Sequence, residues 1–336
     1  MKRILVTGGA GFIGSHTVQR LLLDGAEAVA VLDSFNDYYN PAIKRANIAA
    51  MADPRLSVHE GDLTDAAFVR EVFEKGRFDA VVHLAARAGV RPSIEQPELY
   101  IDTNIKGTFN MLESARQTGV KQFVFASSSS VYGVNKKVPF AEADPILQTI
   151  SPYAMTKMAG EQMCSNYSHL YGIKTVSLRF FTVYGPWGRP DMAPFLFTRA
   201  ILAGRPIDVF NHGQMQRDFT YVDDIVEAVL RVNDRVPEAD PAYTAESPDP
   251  ATSDAPYRVF NIGNHQPVPL LSFIACIEQR LGRVAEKRML PMQPGDVAAT
   301  YADTSALAQW VDFAPSTPLP EGIGRFVDWY RHYYKV

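Results

Sequence analysis

Short apolar runs recur along the first half of the chain, at Arg3–Thr7, Ala28–Leu32, Leu56–Glu60, Ala80–Leu84, Gln122–Ala126 and Lys174–Arg179. Between most of them the apolar positions change to a spacing of three and four, as in Ser15–Leu23 and Ala66–Phe73. That is the period of a helix with one buried face. Strands alternating with helices predict a parallel sheet covered on both faces, since parallel neighbours need a long crossover between them. The expected fold is therefore α/β, with a doubly wound parallel sheet over residues 1–180. Beyond it Pro186, Pro190, Pro194 and Pro206 follow in quick succession. This shift predicts a smaller α/β domain over 181–336, mainly for binding substrate, with segments that return to the first. Residues 234–256 are acidic and rich in proline, alanine and serine. They read as an exposed, mobile insertion without a catalytic role.

Composition narrows the function classes. Of the 336 residues 46% are hydrophobic and 21% charged, with a formal net charge of −4. Such a surface gives no electrostatic reason to expect nucleic acid or an anionic membrane as partner. No apolar run approaches the ~20 residues that cross a bilayer. The apolar start at Ile4 is broken at once by glycines, so it reads as a first strand and not as a signal peptide. Cys164 and Cys276 stand in unrelated contexts without metal spacing. The expectation is a cytoplasmic protein with no disulfide and no metal.

The segment Gly8-Gly9-Ala10-Gly11-Phe12-Ile13-Gly14 follows the first strand and opens a helix. Small residues let a backbone approach a pyrophosphate, whose charge a helix N-terminus favours. Asp33 ends the second strand 19 positions after Gly14. A carboxylate there can bind both ribose hydroxyls and repel a 2′-phosphate, which predicts NAD in a Rossmann-type fold. A helix cap or turn is the alternative for Asp33. Asp62-Leu63 follows the third strand, where an adenine ring would be read; Asp62 could equally cap the helix at Ala66–Phe73.

Tyr153 and Lys157 stand one helical turn apart, and the serine run Ser127–Ser130 precedes them at the end of a strand. A tyrosine in water has a pKa near ~10, too high for a base at neutral pH. A lysine four positions on lies over the same helix face and is expected to supply the charge that lowers it. A serine hydroxyl can share the proton and hold the reacting oxygen.

Taken together, these motifs resemble the extended short-chain dehydrogenase/reductase family and its nucleotide-sugar epimerases and dehydratases, over almost the whole chain. The resemblance implies that Gly8, Gly11 and Gly14, with Phe12 and Ile13 between them, form the phosphate turn and that Asp33 binds the ribose. It places Leu84, Ala85 and Ala86 beside the nicotinamide half of the cofactor, with Asn104 structural. It assigns the catalytic hydroxyl to Ser128, flanked by Ser129 and Ser130, and the base to Tyr153, with Lys157 as partner and nicotinamide-ribose ligand. Arg217 looks like the clamp on the sugar-nucleotide diphosphate, though alone it would read as a surface ion-pair residue, and Arg91 joins the substrate-binding set. Dehydratases of the family carry Asp-Glu where this chain has Ser129-Ser130, and the UDP-xylose-forming decarboxylases carry a glutamate at the second position. What remains is oxidation and re-reduction at one carbon, which is epimerisation.

Three further stretches are similar to the UDP-glucuronate 4-epimerases of the family: Asp33–Pro41 with its Asn-Asp-Tyr-Tyr core, Arg179–Ala193, and Gln293–Val297 with Asp296. Trp187-Gly188 departs from the Arg-Gln more usual in that group. The resemblance implies reversible 4-epimerisation of UDP-glucuronate to UDP-galacturonate with tightly bound NAD. A 4-epimerase of neutral UDP sugars is the alternative, and a UDP-glucuronate decarboxylase a more distant one. Ser129, Ser130, Thr182 and Arg189 are the candidate donors to the sugar carboxylate, or else structural turn residues. A homodimer through helices near Thr103–Thr118 and Tyr153–Tyr171 is the implied assembly.

Overall fold

The computed structural model describes residues 2–293 and 299–336. Its main sheet has seven parallel strands: β1 (Arg3–Thr7), β2 (Ala28–Asp33), β3 (Leu56–Glu60), β4 (Ala80–His83), β5 (Gln122–Ser128), β6 (Lys174–Phe180) and β10 (Tyr257–Ile262). The order across the sheet is β10-β6-β5-β4-β1-β2-β3. Side chains alternate between its two faces, as the pleat requires. Val6, Val82 and Val124 pack on one side with the first helix, Phe12–Leu23, and with Val222–Asp234. Leu5, Val81 and Phe123 pack on the other, against Phe73, Met111 and Cys164. Each such side chain contributes about 1.5–3 kcal/mol when removed from water. Every residue of β4 and β5 is buried, while the edge strand β3 keeps a mixed, partly exposed pattern.

Six of these strands answer to the apolar runs of the sequence, and the seventh does not. β10 arrives from beyond the proline-rich shift and pairs with β6 from Tyr257–Thr175 to Ile262–Phe180. The strand carrying the serines also runs two residues beyond the apolar run and ends at Ser128.

Smaller strands build the second lobe. β7 (Thr182–Tyr184), β9 (Gln216–Tyr221), β11 (Pro267–Pro269) and β13 (Ala299–Thr300) form one sheet, and β8 (Ile207–Val209) pairs with β12 (Lys287–Met289). The buried Asp218 of β9 accepts the backbone N–H groups of Asn264, His265 and Ala302 at 2.7, 3.1 and 3.3 Å. Past the end of the Val222–Asp234 helix, the chain to 256 contains turns and no helix or strand. It is tied down by an Asp240–Arg258 ion pair of 2.8 Å and by Val259 N–H donating to Ala251 O at 2.9 Å.

A buried polar chain crosses the middle of the molecule. Arg179 of β6 donates through Nε and Nη2 to both oxygens of Glu161, at 3.0 and 2.9 Å, and the two side chains are only 1% and 2% exposed. Glu161 lies on the helix Pro152–Tyr171 and also accepts from Ser127 of β5. Arg179 Nη1 donates to Tyr132 Oη, which donates to Asn261 of β10. Removing one partner of a sealed ion pair strands the other charge. Arg179→Met is therefore expected to lower the unfolding free energy by about 3–5 kcal/mol in urea melts; a loss below about 1 kcal/mol would show that the pair is not sealed from water.

Candidate active site

The glycine turn is dictated by contact. Gly8 has φ +67, and a Cβ there would lie 2.8 Å from Ala85 N; one on Gly14 would lie 2.0 Å from Gly8 O. Gly11 caps the first helix without a side-chain bond, so the helix N-terminus keeps its N–H groups for an anion. Asp33 accepts N–H from Ala10 at 3.2 Å and from Phe35 at 2.9 Å. Burial pushes its pKa up, against those hydrogen bonds and the nearby Lys44 charge. It caps no helix: Asn40 caps the following one. Asp62 is no cap either. It accepts from Thr64, while Asp65 accepts the N–H groups of Ala67 and Phe68 at the start of the Ala66–Gly76 helix.

The helix that carries Tyr153 and Lys157 is capped by Ser151, whose side chain accepts Ala154 N–H at 3.1 Å, with Pro152 at the first helical position. Tyr153 comes next. Burial pushes its phenol above the ordinary value, and a hydrogen bond with Ser128 and the charge of Arg189 pull it partly back. Lys157 lies one turn further along the same helix and lines the same cavity as Tyr153. It is buried, it donates from Nζ to Ala126 O at 2.6 Å, and loss of hydration lowers its pKa to about 7. Desolvation penalises the ammonium, and the strand carbonyl offers it a hydrogen-bond partner. His83 is neutral, lowered to about 3 by burial between Thr7 Oγ1 and Thr108 Oγ1.

One cavity of about 320 Å³ collects most of the expected residues. Gly8, Gly11, Phe12, Ile13, Gly14, Asp33, Asp62, Leu63, Leu84, Ala85 and Ala86 line it, and so do Ser128, Tyr153, Lys157 and Arg189. Ser129, Ser130, Thr182, Arg91 and Arg217 are not in its wall. Ser129 and Ser130 open a 3-10 turn, in which Ser130 N–H donates to Ser128 Oγ at 3.2 Å and so orients that hydroxyl. Thr182 starts β7. The Arg91 guanidinium lies 5.6 Å over the ring of Phe210, and Arg217 on β9 donates to Gln216 O at 2.8 Å. Asp296 lies outside the described residues.

The wall also holds side chains to which the sequence assigned no role. Tyr38 lines the cavity, and it and Tyr100 both donate to Ala88 O, at 2.7 and 2.6 Å. The Tyr100 ring meets Tyr153 edge-on at 6.3 Å. Arg189 is half-buried, with Nε and Nη2 engaged by Asp191 at 3.0 and 2.7 Å. For Tyr38 the only signal was the Asn-Asp-Tyr-Tyr stretch, for Tyr100 there was none, and Arg189 was already a candidate donor to the sugar carboxylate. Asn104 bridges Arg87 N–H, Arg87 O and Thr156 Oγ1 from a π-helical segment, Ile101–Lys106. Among the described residues no group of three or more His, Cys, Asp or Glu could hold a metal, and no helix is long and apolar enough to cross a membrane.

Comparison with known proteins agrees with this geometry. Residues 4–263 match the NAD dependent epimerase/dehydratase family. The chain is 45% identical over 337 residues to UDP-glucuronate 4-epimerase 3 of Arabidopsis thaliana, covering 98% of this chain and 77% of that protein. The crystal structure of UDP-glucuronic acid 4-epimerase from Bacillus cereus, in complex with UDP-glucuronic acid and NAD, superposes with a TM-score of 0.85 at 32% identity, covering 98% and 99% of the two chains. UDP-glucose 4-epimerase from Thermotoga maritima, solved with UDP-glucose, superposes equally well, with a TM-score of 0.85 at 30% identity over 98% and 99%. This chain belongs to the NAD dependent epimerase/dehydratase family. Its cofactor is NAD, which suits a phosphate turn that admits no Cβ at Gly8 or Gly14 and a carboxylate at Asp33. Asp33→Ala is expected to weaken NAD binding about 10–100-fold, the cost of hydrogen bonds to one charged group. Fluorescence titration with NAD and NADP measures this, and unchanged NAD affinity would remove Asp33 from the ribose site.

Proposed function

We infer that this chain is an NAD-dependent UDP-glucuronate 4-epimerase, interconverting UDP-glucuronate and UDP-galacturonate through transient oxidation at carbon 4. The observation that carries the chemistry is the meeting of Tyr153, Ser128 and the phosphate turn in one cavity. Neutral and acidic UDP sugars are not separated by backbone similarity, since enzymes for both superpose equally well. The acidic sugar is favoured by the likeness to the Arabidopsis enzyme and by Arg189 in the cavity wall.

NAD, which Asp33 and the Gly8–Gly14 turn would hold, would supply a reversible hydride acceptor for carbon 4 with no net redox. The side chains supply the proton traffic and the grip. Tyr153, as phenolate, takes the 4-hydroxyl proton, assisted by Ser128 in hydrogen-bond contact with it. Ser130 holds Ser128 in place through its backbone N–H. Arg189 meets the sugar carboxylate in competition with Asp191, which engages its fork. Thr182, Ser129 and Ser130 complete the carboxylate end, while Arg217 and Arg91 hold the UDP end. The oxidised sugar is a β-keto acid, which loses carbon dioxide when the breaking bond aligns with the carbonyl π system. A carboxylate kept near the keto plane resists that loss, and serine at position 130 offers no carboxyl to assist it.

We further propose a homodimer in the cytoplasm. Phe109 and Leu170, on the helices Gly107–Thr118 and Pro152–Tyr171, are 47% and 65% exposed, and a two-fold contact would cover them.

Tyr153→Phe is expected to lower kcat by ~10³-fold or more while UDP-glucuronate still binds. Chromatography of products from UDP-glucuronate and from UDP-glucose checks this; turnover near that of the parent protein, or preference for the neutral sugar, defeats the reading. Arg189→Met should raise KM for UDP-glucuronate by roughly 10–100-fold and leave UDP-glucose binding almost unchanged. Equal effects on both sugars would remove the arginine from the carboxylate site.

A further inference from the structure

The turn from Gly185 to Gly188 has an unusual occupant. Gly188 N–H donates to Gly185 O at 3.1 Å, so Pro186 and Trp187 are its central residues. Proline suits the first of these positions through its fixed φ. Trp187 takes the second with φ +62, a left-handed value that usually falls to glycine or asparagine and that a tryptophan resists. The ring therefore needs a contact that holds it there.

That contact is the C-terminal helix, Leu319–Tyr334. The Trp187 ring lies 5.2 Å from Trp329 and 4.8 Å from Tyr333, and those two rings stack on each other at 5.6 Å. The next segment is held by the same helix, because Phe195 packs edge-on against Tyr330 at 5.1 Å and Tyr334 at 5.7 Å. The other side of the turn is pinned to the first helix, where His16 Nε2 lies 3.0 Å from Pro186 O. Between these anchors the chain delivers Arg189 and Met192 to the cavity wall. The C-terminal helix lends no residue to that wall.

We propose that Trp187 is a positioning residue: by docking on Trp329 and Tyr333 it fixes the loop that presents Arg189 to the sugar, so that a helix outside the cavity sets the affinity for the substrate. The choice of UDP-glucuronate as probe rests on the function inferred above. A loop tethered by an aromatic contact is pre-organised, and ordering it costs less when substrate binds. Loss of the tether should thus appear in KM before kcat.

The test uses the full chain with bound NAD and three variants, Trp187→Gly, Trp187→Phe and Trp329→Leu. Glycine removes the ring while easing the left-handed backbone, so this variant is the one best able to fold. The expected result is a KM for UDP-glucuronate raised about 10-fold in Trp187→Gly and Trp329→Leu, the loss of an aromatic contact of roughly 1.4 kcal/mol. NAD content and kcat should stay within about threefold of the parent, and phenylalanine should restore most of the KM. A lowered melting temperature with unchanged KM in Trp187→Gly and Trp329→Leu overturns the proposal, leaving the ring a purely structural role. Activity on UDP-glucose alone would instead defeat the substrate reading, and the same KM comparison on that sugar would still decide the role of Trp187.

Discussion

A guanidinium and a carboxylate shut away from water govern how the helix bearing Tyr153 meets the sheet. Tyr153, Lys157 and Glu161 follow one another at spacings of four and so share one face of the Pro152–Tyr171 helix. Glu161 is gripped by Arg179 of β6 and Ser127 of β5, and Lys157 by Ala126 of β5. With two turns of the helix locked to two strands, its rotation is fixed, and the third turn can only bring Tyr153 to Ser128. The placing of Tyr153 beside Ser128 thus depends on an ion pair outside the cavity wall. The same contacts explain why β5 extends past its apolar run: Ser127 is paid into the buried network, and Ser128 emerges at the cavity.

The second governing effect is dryness. Burial raises the phenol of Tyr153, lowers the ammonium of Lys157 to about 7 and leaves His83 neutral. In each case loss of hydration disfavours the charged form. The half-buried Arg189 and the serine hydroxyl bias the phenol in the right direction without completing the work.

How much of this could be read from the residues depended on how local the governing interaction was. β1 and β3 matched their apolar runs to the residue, because glycine or turn residues bound them on the chain itself. β10 escaped notice because its pairing with β6 is remote in sequence and follows a run of polar turns. The spacing of Tyr153 and Lys157 was legible, whereas the direction of the lysine hydrogen bond was not, since burial decides it. The choice between cap and cavity at Asp62 turned on a neighbour three positions away, Asp65, that filled the cap. Tyr38 stood out only as part of the Asn-Asp-Tyr-Tyr stretch and Tyr100 not at all, because only the fold aims both hydroxyls at Ala88 O.

The late return of β10 bears on how the protein can be cut. Residues 1–180 hold six of the seven main strands, yet a fragment ending there would leave β6 bare along one side. Five of the seven residues of that strand are buried, with Val176 and Leu178 fully so. An uncovered row of backbone donors and acceptors beside such side chains is a template for pairing with other copies. Expression of the cofactor-binding half by itself would accordingly yield aggregates, and a soluble truncation must reach at least Ile262.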